Sequence, residues 1–352
     1  MRPSPSGPVV SALAGAALFG LSVPASKSLL DGKGLDPILL AGSLYLAAGI
    51  GLGAWQVLRG GPLLRLPGRA WGLLLAVAAV GGVAAPLCLA HGLARAEGQA
   101  ASLLLALEGA FTAILAGLLF REHVGRTAGA AVALAAFAAV ALAEPWAAAG
   151  SRPDPVGLLL VAAATLGWAL DNNLSRALSD RDPVQVVALK GLVAGPVSLG
   201  IAAALGRALP ADPAILGGAA LVGLLCYGLS LVFILRAFAG LGATRTMAIF
   251  SSAPAFGAVG CWVARGERPG GAFAAAAFLL AASLWLLSRE RHDHEHEHGE
   301  MEHEHEHVHD GHHRHEHGGG EGPEPHTHRH RHGRLVHSHP HAPDLHHRHG
   351  HG

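Results

Sequence analysis

The sequence predicts an all-α polytopic membrane protein, with ten transmembrane helices arranged as two inverted five-helix repeats and a disordered C-terminal tail. The first observation behind this prediction is composition. Of the 352 residues, 51% are hydrophobic and only 14% are charged, against about 25% charged residues in soluble domains. The second observation is a sequence pattern that repeats at an offset of about 145 positions. The third is that 23 of the 25 histidines follow Arg291.

Ten apolar runs predict the transmembrane helices. Each run has about 18–24 residues, the length that a helix needs to cross about 30 Å of hydrocarbon. Their richness in Ala, Gly and Leu suits helices that pack through small residues inside a bilayer. The predicted spans are residues 9–30, 37–58, 70–93, 99–120, 126–143, 156–178, 184–205, 214–237, 243–264 and 271–288.

The repeat is clearest around span four and its copy, span nine. At an offset of 145, Ala110 falls on Ala255 and Glu122 falls on Glu267. Five spans per copy is an odd number, so the two copies must enter the membrane from opposite faces, as in transporters that alternate access to a central site. The predicted organisation is a first repeat at 9–143, a linker at 144–155, a second repeat at 156–288 and the tail at 292–352.

The arrangement of these motifs resembles that of a known transporter family. The pattern consists of an apolar span that contains Ala-Phe-x-Ala, a glutamate in the short polar elbow that follows it, and a final span that begins with Gly. Over residues 9–288, this pattern is similar to that of EamA-type members of the drug/metabolite transporter superfamily. The resemblance implies ten spans, two five-span repeats and a secondary transporter, often a metabolite exporter. It also implies a proline in span four and in its counterpart. Pro254 matches in the second copy, whereas the first copy has Gly109.

Loop charges predict the orientation of the chain. Lys and Arg are more frequent in the loops on the side of the N-terminus, which favours cytoplasmic N- and C-termini in the cell inner (plasma) membrane. An enzyme is not predicted, because the chain has no nucleophile motif, Gly-rich phosphate loop or metal-ligand motif in its spans. The expected partners are the lipid bilayer, a small-molecule substrate and divalent metal ions at the tail, with no nucleic acid.

Glu108 is the acid that interrupts span four. A carboxylate at that depth costs a few kcal/mol unless it is paired, protonated or exposed to water. Its counterpart in the second repeat is Ala253, so the fold does not require an acid at this position. Two interpretations follow: a protonated or hydrogen-bonded packing acid, or a cavity-lining group that contacts a cationic substrate or carries a coupling proton.

Other polar groups in the spans complete the set of candidates for a substrate cavity. Asp171 and Lys190 lie at similar depth on consecutive spans, which predicts either a structural ion pair or a role in substrate binding or gating. Asn172 adds a polar side chain beside Asp171, and Tyr227 is a candidate for the cavity wall. The substrate-cavity candidates are therefore Glu108, Asp171, Asn172, Lys190 and Tyr227.

Three charged residues near the ends of spans are interpreted as structural. Lys27 is expected to extend its ammonium group to the membrane interface, as long basic side chains do. The elbow glutamates Glu122 and Glu267 are expected to cap and orient helix ends.

The tail predicts metal binding. From His292 onwards, histidine is interspersed with Glu, Asp, Arg and Pro without apolar periodicity, so the tail is expected to be disordered. Imidazole with carboxylate suits Zn²⁺, Ni²⁺, Co²⁺ or Cu²⁺, bound at several sites with loose selectivity; transport itself requires no cofactor. The predicted ligands are His292, His294, His296, His298, His303, His305, His307, His309, His312, His313, His315 and His317.

Three functional hypotheses remain open on the sequence. The first is a secondary transporter of small metabolites or drug-like solutes, an exporter, with the tail as an accessory metal-binding segment. The alternative is a divalent metal ion transporter (Zn, Ni or Co) whose tail collects or senses the ion, with His91, Glu108 and Asp171 as its only candidate ligands within the spans. The third is a membrane-anchored metal buffer with a degenerate transport domain.

Overall fold

The computed structural model describes most of the predicted membrane domain and four short segments of the tail. The described residues are 6–32, 34–61, 68–120, 126–142, 153–175, 178, 182–234, 236–237, 249–289, 295–298, 301–307, 326–332 and 335–338. The chain separates into two units, residues 1–290 and residues 291–352, and each is described by itself. Most of the linker predicted at 144–155, as well as Glu122, lies outside the described residues.

The described part of the first unit is helical. The helices of the first repeat are α1 (Ser6–Lys27), π1 (Ser28–Gly32), α2 (Pro37–Leu58), α3 (Gly68–Val77), π2 (Ala78–Ala84), α4 (Ala85–Leu93), α5 (Gly98–Leu104), α6 (Leu107–Phe120) and α7 (Arg126–Leu142). Those of the second repeat are α8 (Pro155–Ser175), α9 (Pro183–Ala204), α10 (Pro213–Val222), π3 (Gly223–Leu229), α11 (Ala253–Arg265) and α12 (Gly271–Arg289).

Six helical stretches in the described residues are long and apolar enough to cross a membrane. They are Gly7–Asp31, Pro37–Leu58, Ala70–Leu93, Pro155–Ser175, Val184–Ala204 and Pro213–Ile234, and they coincide with predicted spans one to three and six to eight. Helices also occupy the other four predicted positions, but span four is divided into α5 and α6, and the described parts of the others are shorter. The count of ten spans therefore stays a prediction.

The helix pair α2 and α9 shows that the two repeats are inverted. Asp36 caps the N-terminus of α2 and pairs with Arg207, which follows the end of α9, at 3.5 Å. Asp182 caps α9 in turn and pairs with Arg59, at the end of α2, at 3.3 Å. Each helix therefore begins where the other ends. The two aspartates occupy corresponding positions in the repeat, so counterpart helices run antiparallel, as inverted repeats require.

Glycines allow α2 and α9 to pack backbone against backbone. A Cβ atom on Gly191 would lie 2.6 Å from the carbonyl oxygen of Tyr45 and 2.8 Å from the Cα atom of Gly49. A Cβ atom on Gly49 would lie 2.6 Å from the backbone nitrogen of Leu192. Small residues at such crossings let helices approach closely in a bilayer. Around this pair, the core is formed mainly by leucine and alanine side chains.

Two π-helical segments lie at equivalent positions in the repeats. An offset of 145 places Ala78, the first residue of π2, on Gly223, the first residue of π3, and the two segments have equal length. π-Helical turns are rare and occur frequently at functional sites. Their occurrence in both copies makes them a feature of the repeat itself.

Span four is broken rather than continuous. The helix α5 ends at Leu104, residues 105 and 106 form a turn, and α6 begins at Leu107. In the second repeat, a turn at residues 251 and 252 precedes α11, with Pro254 in its first turn. The two positions correspond to within one residue. The first repeat therefore breaks at this site although Gly109 replaces the proline that the resemblance implied.

The described part of the second unit contains four short strands, and the prediction of a disordered tail is not confirmed. β1 (Glu295–His298) pairs antiparallel with β4 (Leu335–Ser338), and β2 (Met301–His307) pairs antiparallel with β3 (His326–His332). Strand pairing needs no apolar core of its own. A strict alternation of two residue types, as in the His-Glu pattern of β2, has the period of two that an extended strand presents.

Candidate functional site

A buried ion pair joins α8 to α9 in the interior of the first unit. The ammonium group of Lys190 is hydrogen-bonded to the Asp171 carboxylate, and the two side chains are only 13% and 9% exposed. Opposite charges at such low exposure offset the desolvation that each would otherwise suffer. The ion pair predicted from the matched depth of these residues is therefore confirmed.

The π-helical segment π2 makes room for this ion pair. Gly81 lies against the Asp171 carboxyl group so closely that any Cβ atom would collide with it. A Cβ atom on Gly82 would lie 3.5 Å from Cγ of Lys190. Gly81 thus leaves room for the Asp171 carboxyl group, whereas Gly82 leaves room for Ala194 of α9, from whose Cβ atom an added Cβ would lie only 2.6 Å.

Glu108 lies beside the ion pair, in the first turn of α6 immediately after the break in span four. Its carboxylate accepts a hydrogen bond of 2.7 Å from the side-chain amide of Asn172, the residue next to Asp171. Among the described residues, no cation forms an ion pair with Glu108. The N-terminus of a helix carries a partial positive charge that stabilises a nearby anion, so the break provides what a basic partner would otherwise supply.

Asn173 adds a second contact between α8 and α6. Its amide donates hydrogen bonds to the carbonyl oxygens of Thr112, at 3.2 Å, and Ala169, at 2.9 Å. Its own carbonyl oxygen Oδ1 is buried and has no hydrogen-bond partner in the part of the chain that the structure describes. Buried polar atoms are nearly always paired, and this oxygen is one of two exceptions among the described side chains, with the hydroxyl of Ser198 as the other.

Aromatic side chains form the other wall of the site. The ring of Phe19 lies 6.3 Å from that of Trp168, 5.9 Å from that of Tyr227 and 5.4 Å from that of Phe250, measured between ring centroids. The ring of Tyr45 lies 5.7 Å from that of Tyr227. These distances are typical of offset or edge-to-face aromatic contacts.

The aromatic wall is joined to the charged group through one carbonyl. Tyr45 Oη donates a hydrogen bond of 2.8 Å to Gly81 O, and Trp168 Nε1 donates one of 3.1 Å to the same oxygen. Because Gly81 also contacts Asp171, the aromatic and charged residues meet at π2. The site therefore contains residues of both repeats. Glu108 lies on one side of the site, and the aromatic rings lie on the other.

A second polar network, which we call the latch, lies at the predicted outer ends of the helices. It comprises Lys27, Asp31, Gln99, Arg265 and Glu267. Arg265 pairs with Asp31 at 2.7 Å and with Glu267 at 3.0 Å. The Glu267 carboxylate accepts a hydrogen bond of 2.8 Å from the backbone N–H of Gln99, in the first turn of α5. Glu267 is thus a helix cap, as predicted, but it caps a helix of the other repeat.

Lys27, which was expected to extend to the membrane interface, is buried by protein within the latch. Its side chain is 9% exposed and forms an ion pair of 3.1 Å with Asp31. It also donates a hydrogen bond of 2.8 Å to the carbonyl oxygen of Leu93 at the end of α4. The helix end offers an unpaired carbonyl that needs a donor, and the lysine supplies it.

Outside the spans, Asp154 and Arg95 connect the start of α8 to the loop that follows α4. Their side chains form an ion pair at 2.8 Å. Although desolvation raises the pKa of the Asp154 carboxyl, hydrogen bonds from Val156 N–H and from Arg95 outweigh that effect and hold the pKa below its usual value. Both side chains are substantially exposed, so the pair contributes little to stability.

The structure brings together the five residues predicted for the cavity. Glu108, Asn172, Asp171 and Lys190 form one polar group, and Tyr227 belongs to the aromatic wall. The sequence analysis missed Phe19, Tyr45 and the glycine pair Gly81-Gly82. Two signals were available: the chain has only two tyrosines, and adjacent glycines in the middle of an apolar span leave room for a neighbouring side chain.

Metal ligands do not cluster among the described side chains of the membrane domain. In the part of the chain whose side chains the structure describes, there is no group of three or more His, Cys, Asp or Glu that could hold a metal ion. The three candidates His91, Glu108 and Asp171 therefore do not form a metal site. The side chains of the tail lie outside the described set, so the metal ligands predicted there stay a prediction.

Comparisons with known proteins agree with this architecture. The EamA-like transporter family matches the chain twice, at residues 7–143 and 155–289. The chain is 29% identical over 272 residues to an uncharacterized transporter of Methanothermobacter thermautotrophicus (strain Delta H), which covers 71% of this chain and 77% of the relative. A solved crystal structure of a protein that is 19% identical superposes with a TM-score of 0.57, over 82% of this chain and 97% of the other. That last likeness concerns the fold alone.

Proposed function

The chain belongs to the EamA-like transporter family, and from this premise we propose that it is a secondary transporter that exports small metabolites or drug-like solutes. Its two inverted repeats would alternate access to the site between π2, α6, α8 and α9. The family and the relative indicate a membrane transporter rather than an enzyme. Substrate, direction and coupling are part of the proposal.

The observation that carries the proposal is Glu108. A carboxylate within a span is costly unless a specific environment holds it, and here the environment consists of a helix break and one amide rather than a cation. Discontinuous helices whose half-helix ends point at ligands are the usual device of transporters with inverted repeats. Glu108 is therefore the group that we propose to contact a cationic substrate or to carry the coupling proton.

The ion pair of Asp171 and Lys190 supports this assignment by elimination. Each of these charges already has its partner, so neither is left to balance an incoming charge. Among the described residues, Glu108 has a hydrogen bond from the neutral amide of Asn172 and no ion pair. Because a charged ligand or a proton can bind where charge is not yet balanced, the glutamate is the more suitable of the two carboxylates.

The latch fits a role in closing one face of the transporter. Through Arg265 and Glu267 it ties π1 and α5 of the first repeat to the end of α11 in the second. Rocking of the repeats against each other would separate these elements. We therefore propose that the latch holds the predicted outer face closed and must break when that face opens.

Transport in proteoliposomes tests the proposal. The full chain would be reconstituted with a pH-sensitive dye in the lumen and offered a panel of amino acids, nucleosides and organic cations. We expect at least one solute to move protons, and we expect Glu108→Gln to abolish that coupled flux. The glutamine side chain would still accept a hydrogen bond from Asn172, so the substitution removes the charge and not the contact.

Glu97→Gln is the matched control, because Glu97 is an exposed acid in the loop before α5 and its loss should leave the flux unchanged. If Glu108→Gln transports as the parent chain does at every pH, the role of Glu108 is refuted. If no solute of the panel moves in any variant, the proposal of an exporter of small organic solutes fails.

The second candidate function, a divalent metal ion transporter, is favoured by the histidine-rich tail alone. Zn²⁺, Ni²⁺ and Co²⁺ flux would be measured in the same vesicles, with the full chain and with a chain truncated after Arg291. Metal flux that is lost both on truncation and in Glu108→Gln would support metal as the cargo. Unchanged metal handling in both variants would exclude it.

We also propose that the tail binds divalent metal in the cytoplasm. The proposal is supported by the density of imidazole among carboxylates after Arg291, which suits Zn²⁺, Ni²⁺, Co²⁺ or Cu²⁺. Location in the cell inner membrane with both termini cytoplasmic belongs to the same proposal. Reporter fusions at the two termini, one active only in the cytoplasm and one only outside it, would test the orientation directly.

A further inference from the structure

The helices α2 and α9 are held together at both ends of their contact. At the predicted outer end, one carboxylate oxygen of Asp36 caps α2 and the other pairs with Arg207 at 3.5 Å. At the inner end, one carboxylate oxygen of Asp182 caps α9, and the other accepts hydrogen bonds of 2.8 Å from Gln56 and 3.3 Å from Arg59. Each aspartate therefore fastens its own helix to the neighbouring one.

Between these ends, α2 and α9 touch through glycines at three successive levels. A Cβ atom on Gly42 would lie 2.8 Å from Cγ of Leu199, and a Cβ atom on Gly195 would lie 2.6 Å from Cα of Leu46. The glycine crossing near the middle of the two helices is the third level. Small residues allow such close approach, and tightly packed contacts do not deform gradually. Separating α2 from α9 would therefore break contacts along most of their length.

The contact between α5 and α11, which the latch closes, is built on shorter pieces. The helix α5 has seven residues and ends at Leu104, before the turn in span four, whereas α11 begins at Ala253, after the turn in span nine. The two helices meet where a Cβ atom on Gly98 would lie 2.5 Å from Sγ of Cys261. Because each piece is joined to the rest of its span by a turn, it can move without moving a whole span.

We propose that α2 and α9 form a fixed axis, which stays assembled throughout the transport cycle, and that the predicted outer face opens where α5 leaves α11. The inference rests on the proposed function of transport by alternating access, and it adds which helix contact must break and which must not. Opening the axis would unfasten polar groups at both membrane faces at once. Opening the contact of α5 with α11 breaks the latch at one face, and the turns in the spans absorb the movement.

A disulfide across the axis supplies the first test. Gly42→Cys and Leu199→Cys would be introduced together, since loss of the leucine removes the Cγ atom nearest to the new Cβ. We expect oxidation to leave proton-coupled flux of the solute panel in proteoliposomes within about twofold of the flux of the reduced form. The background chain for this variant has alanine in place of its three cysteines, Cys88, Cys226 and Cys261.

A disulfide across the latch supplies the matched comparison. Gly98→Cys would be introduced into a chain that keeps Cys261, with alanine in place of the other two cysteines. Oxidation should lower the flux by about tenfold or more, because the outer face can no longer open, and reduction should restore it. Titration of free thiols would confirm that each disulfide has formed.

The reduced form of each variant controls for folding and insertion. If the axis variant does not transport when reduced, or its cysteines do not join, the axis would be bridged at its outer end instead, from Asp36→Cys to Arg207→Cys, with a short bifunctional thiol reagent. Flux that is lost when the axis is locked and returns on reduction overturns the inference and leaves the transport proposal intact. Unchanged flux in the oxidised latch variant overturns it as well. If the parent chain moves no solute, the transport proposal fails, and the inference fails with it.

Discussion

Breaking the buried ion pair of Asp171 and Lys190 should destabilise the membrane domain strongly. Lys190→Met retains most of the side-chain volume but leaves the Asp171 carboxylate, which is 9% exposed, without its cation. Removing one partner of a buried pair typically costs about 3–5 kcal/mol, since an uncompensated charge stays in a poorly solvated place. The low exposure of both side chains places this pair in that class rather than among surface pairs.

The double variant provides the discriminating measurement. Asp171→Asn together with Lys190→Met removes both charges, so its stability should recover to within about 1–2 kcal/mol of the parent chain, because a neutral replacement of a buried pair is often tolerated. Stability would be measured by reversible unfolding in mixed micelles, with tryptophan fluorescence as the signal. The reasoning fails if the double variant is as unstable as the two single changes added together.

Arg95→Met serves as the surface control for this experiment. Arg95 pairs with Asp154, but their side chains are 50% and 30% exposed. Exposed ion pairs contribute about 0–1 kcal/mol, so this substitution should have a small effect. A loss as large as that of Lys190→Met would mean that exposure does not decide the cost.

Three further predictions concern the helix crossing, the latch and the tail. Gly191→Ala should destabilise the domain by about 1–3 kcal/mol through overpacking. Gly217→Ala, with open space around it in α10, should stabilise the domain slightly. If both substitutions shift the temperature of thermal unfolding in the same direction, the close helix crossing is contradicted. Glu267→Gln should lower the stability of the domain by about 1 kcal/mol. It should also make a cysteine that replaces Gln99 more reactive towards a membrane-impermeant thiol reagent. Unchanged reactivity would contradict the latch. Zn²⁺ bound to the tail should be released as the pH falls below about 6.5, because protons compete for the imidazoles; retention at pH 5, by equilibrium dialysis, would contradict histidine ligation.

Much of the membrane domain could be predicted because the features that determine it follow from the order of residues along the chain. Apolar runs of sufficient length indicate spans, and the offset of 145 positions between Glu122 and Glu267, with five spans per copy, indicates the inverted repeat. Counting residues from the ends of two spans placed Asp171 and Lys190 at one depth, and the structure confirms that they pair. Depth along a helix is a one-dimensional property, so it can be read from sequence.

The partner of each polar group could not be predicted in the same way. Lys27 was expected at the interface, yet it pairs with Asp31 and with a helix end that is 66 residues away in the chain. Glu267 was expected to cap a helix, but which helix depended on how the repeats pack. Side-chain partners across helices depend on rotation and approach, and an apolar sequence does not encode these locally.

The sequence by itself determined that this chain crosses a membrane, that it is built from two inverted repeats, and that an acid at position 108 is not required by the fold. Only the tertiary structure decided why that acid is tolerated. It lies in the first turn of α6 beyond a break in the span, hydrogen-bonded to Asn172 and next to a charge pair that is already balanced. The physical reason is that hydropathy and spacing act along the chain, whereas the electrostatic cost of a buried carboxylate depends on dipoles and partners that only packing brings together.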